Sequence, residues 1–138
     1  PQHWSSAASD VYKRQSQLRV DLQSSLSLTS ITAFAVSNAT STIINTTGYF
    51  RIFATTNITN ATGNSECHFS ITDGTTTKKI ISTFMQGTST KLFNSNVFDF
   101  IVKLEAGDSV TATGTTADSF LVGNTRQIAD LSGNLVNP

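Results

Sequence analysis

From Leu18 to Val122 the chain is a succession of short runs in which apolar and polar residues alternate, each closed by turn-forming residues. Period two is the repeat of an extended strand, whose successive side chains point to opposite faces. A helix would need apolar residues at intervals of three and four over ten or more positions, and no stretch shows that pattern. The runs fall at 31–37, 41–45, 49–58, 66–72, 75–84, 97–104, 109–113 and 119–122, with a short edge strand expected at 90–93. Strands recurring about every ten residues are the signature of a sandwich or barrel. The expected fold is therefore all-β: an antiparallel β-sandwich, jelly-roll-like, of about eight strands.

Alternation also assigns faces. Phe50, Ile52, Ala54 and Ile58 share one side of their run, and Tyr49, Arg51 and Phe53 the other. Cys67, Phe69 and Ile71 point away from Glu66, His68 and Ser70. Phe98, Phe100, Val102 and Leu104 face in, while Asp99 and Lys103 face out. Each buried Phe removes about 150–250 Å² from water, roughly 4–5 kcal/mol before entropy at about 25 cal/mol per Å². Several such residues suffice for a core. Asp73-Gly74 predicts a two-residue hairpin between 66–72 and 75–84, and residues 105–108 predict a tight turn.

A chain of 138 residues fits one domain. Net charge is zero and 13% of residues are charged, which excludes an electrostatic footprint for nucleic acid or an anionic membrane. No apolar run approaches the roughly 20 residues that span a bilayer, and no signal peptide is visible. The single cysteine, Cys67, excludes an intrachain disulfide.

Residues 5–15, SSAASDVYKRQ, match residue for residue the in-frame translation of a transposase adapter used to prepare sequencing libraries. On this reading residues 1–15 are a non-native segment, and His3, Trp4 and Tyr12 have no functional claim. The natural reading frame then enters near Ser16, with its true start expected upstream. Without Lys13, Arg14 and Asp10, nine basic and nine acidic residues become seven and eight, still close to neutral. Three segments are expected: 1–15 adapter-derived, 16–122 the β-sandwich, and 123–138 a polar C-terminal tail, loose or packed on a partner.

Candidate chemistry is sparse. Beyond residue 15 the only histidine is His68, and its neighbour Cys67 must point to the opposite face of a strand, so the two cannot act as a Cys–His pair. A glycosidase-type carboxylate pair such as Glu66 with Asp99 is conceivable, but nothing in the sequence brings the two together. No His/Cys spacing suits a metal, and Asp73 and Asp108 are explained by their turns. Sequons stand at Asn38, Asn45, Asn57 and Asn60, a number expected by chance in a chain so rich in Asn and Thr. The residues therefore predict no catalytic, cofactor-binding or metal-binding site, and no enzyme.

One stretch carries a more specific signal. Residues 45–122 run as a strand ending near Asn57, a loop containing Asn60 and Gly63, a strand into Asp73-Gly74, and a long span to a turn marked by Leu104, Gly107, Asp108 and Val110. This order resembles a β-sandwich domain of tailed-bacteriophage virion structural proteins. Asn45-Thr46-Thr47-Gly48 stands where that family usually has a Pro-Ala-Gly-type turn. The resemblance implies a head-decoration, neck or tail-associated module of the virion, assembled in the host cytoplasm and acting through self-association and contacts with other virion proteins. A trimer is the expected oligomer. It implies no catalytic residues, no cofactor, no nucleic acid and no membrane. The alternative is a carbohydrate-binding or adhesin module, with Tyr49 exposed on a flat face for a possible glycan.

Overall fold

The computed structural model describes residues 31–59, 63–87 and 93–136, and these form two antiparallel four-stranded sheets with no helix among them. The strands are β1 (Ile31–Ser37), β2 (Ala39–Ile44), β3 (Gly48–Thr59), β4 (Ser65–Thr72), β5 (Thr77–Met85), β6 (Phe93–Leu104), β7 (Ser109–Gly114) and β8 (Ser119–Ala129). One sheet has the order β1-β8-β3-β6 and the other β2-β7-β4-β5. The first four strands thus pair with the last four in reverse, as in a long hairpin rolled up on itself. That is the jelly roll expected from the alternation.

Local chemistry explains this path. A single residue, Asn38, joins β1 to β2, too little for a hairpin, so the two strands enter different sheets. Its φ of 50° makes the corner, a conformation that Asn tolerates better than most residues. The β4–β5 connection is four residues, 73–76, rather than the expected two, with Thr72 opposite Thr77 as the last pair. The carboxylate of Asp73 causes the difference: its Oδ1 accepts the backbone N–H groups of Thr75 and Thr76 at 2.8 and 2.6 Å, building an Asx turn. Gly74 sits in that turn at φ 90°.

The core lies where inward-facing residues of both sheets meet. Phe50, Ile52, Ala54 and Ile58 of β3 are buried, as are Cys67 and Phe69 of β4, and Val102 and Leu104 of β6. Phe69 is central, with the rings of Phe34 and Phe100 edge-on at 6.1 and 5.6 Å. Thr56 continues the buried face of β3, and its hydroxyl meets that of Thr83 on β5 at 3.0 Å, a buried hydrogen bond between the sheets.

Two expectations need correction. Residue 93 does not close a separate edge strand; it opens β6, which runs unbroken from Phe93 to Leu104. The sandwich also does not end at residue 122. β8 continues to Ala129, pairing Gly123–Arg126 with β1 and β3. Its inward positions there are Gly123, Thr125 and Gln127, so the strand carries no apolar alternation to read. The chain then folds back. Asp130 Oδ1 accepts from the N–H groups of Ser132 and Asn134, both at 2.9 Å, and the N–H of Val136 donates to the carbonyl of Ile128 at 2.8 Å. Residues 123–136 are thus ordered on the fold rather than a loose tail. The expectations for residues 1–15, Ser16, Asn60 and residues 90–92 lie outside the described residues.

Candidate interaction surface

The two sheets present very different outer faces. On the β1-β8-β3-β6 sheet, cross-strand pairing lines up Ala35, Val122, Thr55 and Val97 in one row, and Ala33, Asn124, Phe53 and Asp99 in the next. A third row joins Ile31, Arg126, Arg51 and Ile101. Phe120 lies beside Asn57 above them. Val97 and Ile101 on the edge strand β6 keep 64% and 62% of their surface exposed, values that set them apart from ordinary half-buried strand residues. Phe53, Phe120 and Val122 are exposed as well.

Charge on this face is mostly neutralised from within. The guanidinium of Arg51 donates from Nε and Nη2 to the two carboxylate oxygens of Asp99 at 2.7 and 2.6 Å. That fork raises the Arg51 pKa and lowers that of Asp99. The guanidinium also stands 5.9 Å from the ring of Phe53, a cation–π distance. Beside it, opposite Arg51 in register, the buried Nε of Arg126 has no hydrogen-bond partner among the described residues.

The outer face of the β2-β7-β4-β5 sheet is hydroxylated. Thr40 and Thr113 share a hydrogen bond at 2.9 Å, and Thr42 pairs with Thr111. Glu66 accepts from Lys79 Nζ and Ser82 Oγ, both at 2.5 Å, and the first of these holds its carboxyl below the ordinary range. His68 Nδ1 is 3.6 Å from Glu66 Oε1, and burial pushes the imidazole below its ordinary value. Phe84 and Ile80 are the large exposed apolar residues along this sheet's edge strand β5.

The residues weighed for chemistry are kept apart. Cys67 is fully buried, its Sγ 3.6 Å from the carbonyl of Phe120, whereas His68 looks out from the threonine-rich face. Glu66 and Asp99 lie on the outer faces of different sheets, with the whole sandwich between them, and each is engaged by a cation. A shallow cleft of about 310 Å³ at one end is lined by Ile71, Thr72, Asp73, Thr76, Lys78 and Asp108. Both of its carboxylates are committed to turns, Asp73 as above and Asp108 by accepting the N–H of Glu105 at 2.9 Å. Among the described residues no three His, Cys, Asp or Glu side chains are grouped to hold a metal. Tyr49, the aromatic that glycan binding would expose, is half-buried. Sequence reasoning missed the apolar outer face. The signal was present in Val97 and Ile101, both in phase with Asp99 and out of phase with Phe98 and Phe100.

An exposed apolar face on the outside of a sheet is a surface suited to contact with another protein. Two crystal structures of a pentameric capsid protein isolated from metagenomic phage sequences superpose on the chain with a TM-score of 0.69 and 35% identity. Each match covers 80% of this chain, and they cover 69% and 74% of the respective partners. The chain belongs to this family of phage capsid proteins, and its function is structural. Murine APRIL superposes with a TM-score of 0.48 at 11% identity, over 70% of this chain and 97% of that one, too remote to bear on function. No protein-family profile and no curated protein matches the chain.

Proposed function

We propose that the chain is a component of the phage head that assembles as a closed ring of five copies. The observation that carries this reading is the 35% identity, over 80% of the chain, to a capsid protein that is itself pentameric. Physical chemistry supports it. A short chain with a zero net charge gains a large interface by repeating one contact around a ring, and a face with few unpaired ions is cheap to dry. Five copies replace the trimer expected from sequence. A place in the head is favoured over the neck or tail because the relative is a capsid protein. Assembly inside the host cytoplasm goes with this reading. Rotational averaging of negatively stained particles of the purified chain tests it: five-fold power is expected, and three-fold power or isolated single domains would contradict it.

A further inference from the structure

We infer that the outer face of the β1-β8-β3-β6 sheet is buried against a second copy of this chain. The inference deepens the five-copy reading and rests on it, since it names the surface through which the copies meet.

Three observations carry it. The first is area. Four strands about 4.8 Å apart and seven residues long at about 3.3 Å each span roughly 19 by 23 Å. That is about 430 Å² of flat face, around half of the roughly 800 Å² per partner in a standard interface. The face supplies the centre of such a contact, and the open edges β1 and β6 on either side of it are where the contact can extend.

The second observation is protection. Exposed edge strands are ordinarily guarded by lysine, proline or inward-pointing charge. β6 carries one outward lysine, Lys103, at its end where Glu105 pairs with it, but along its middle it presents Val97 and Ile101 outward, with only Asp99 between them, and Arg51 already neutralises that carboxylate. A contiguous apolar patch of this kind marks a surface that is covered in the working state.

The third observation is charge. Arg126 is a cation set into the apolar rows, opposite a second arginine, and the described residues leave its Nε without an acceptor. A buried donor without a partner is costly. That Nε is already covered by its own chain, so what a neighbouring copy meets with a carboxylate is the positive charge of the guanidinium, which Asp99 leaves unpaired by engaging only Arg51. The threonine-rich face has an orphan of its own, the buried Nδ1 of His68, while its Glu66 and Lys79 satisfy each other.

A second copy is the occupant because a ring makes heterologous contacts, in which this face meets a different surface of the next subunit and the pattern closes. The test uses the full chain with the double variant Val97→Lys/Ile101→Lys. A control, Thr40→Lys/Thr42→Lys, places equal charge on the exposed β2 positions of the other sheet. Sedimentation velocity should show the first variant monomeric, its association weakened by roughly a hundredfold, with an unchanged β-sheet circular dichroism spectrum. The control should assemble like the parent. An assembled Val97→Lys/Ile101→Lys variant overturns the inference while leaving the ring intact, whereas an unassembled parent chain overturns the ring itself. A second variant, Val97→Cys carrying an environment-sensitive dye, guards against loss of folding. Dye shielding should rise with protein concentration in step with assembly. Shielding that is independent of concentration would assign the face to residues 1–30 of the same chain. Shielding only on addition of another virion protein would assign it to that protein. Either result overturns the inference.

Discussion

The thiol of Cys67 lies inside the sandwich among apolar side chains, and burial pushes it up to about 11. The nucleophile in thiol labelling is the thiolate, so at pH 8 only about one thiol in a thousand is reactive even before access is considered. Labelling of the native chain with a thiol reagent should be more than a hundredfold slower than labelling in denaturant. Comparable rates would mean that the β3–β4 region opens readily. Its raised value also means that the protonated thiol favours the fold below about pH 9, and that this contribution disappears as pH climbs toward about 11. The neighbouring His68 behaves in the opposite sense. Its imidazole is held below the ordinary 6.5, so on acidification the unfolded chain takes a proton that the folded chain resists, and stability declines from about pH 6.5 downward. Glu66, lowered from 4.5 chiefly by the hydrogen bond from Lys79, loses its contribution only below about pH 4.5. Replacing His68 with Gln should therefore flatten the fall in Tm between pH 7 and 5 and leave the steeper fall below pH 4.5. An unchanged slope in the upper window would show that His68 is not the titrating group. The inward phase of Cys67 with Phe69 and Ile71 was legible in the sequence. The cluster around Glu66 was not, because Lys79 and Ser82 reach it from another strand through the register of the β4–β5 hairpin.

At the level of elements, β3, β4 and β7 were readable to within a residue or two, since every second residue is buried through β3 and β7 and through β4 as far as Phe69, where the register shifts and Ser70 is buried as well. β8 was readable only at its start. From Gly123 onward its inward side chains are small or polar, and what replaces apolar packing there is closeness of backbones. A Cβ on Gly123 would stand 2.2 Å from the carbonyl oxygen of Phe53 and 2.7 Å from Cα of Ala54. Gly123→Ala should cost about 1–3 kcal/mol in urea unfolding, the range for forcing extra volume into a packed site. A neutral result would mean that β8 and β3 do not approach as closely as described. The β4–β5 turn illustrates a different limit. Asp73-Gly74 announces a turn in sequence, but its length depends on hydrogen bonds to Asp73 Oδ1 that no dipeptide rule contains.

For the whole molecule, the sequence carried the layer architecture because period two and turn spacing leave few alternatives to a sandwich. It did not carry the difference between the two outer faces. Outward residues became legible as a surface only when the strand order placed Val97, Phe53 and Val122 on adjacent strands of one sheet. Oligomer number is not written in periodicity at all, because it depends on the angle at which two surfaces meet. The central claim is that this jelly roll is a capsid subunit that closes a ring of five. Native mass spectrometry of the full chain at tens of micromolar tests that most directly. With a protomer of 14.8 kDa, the account predicts a dominant species five times heavier, about 74 kDa. A dominant monomer at 14.8 kDa, or a trimer three times heavier at about 44 kDa, would contradict it.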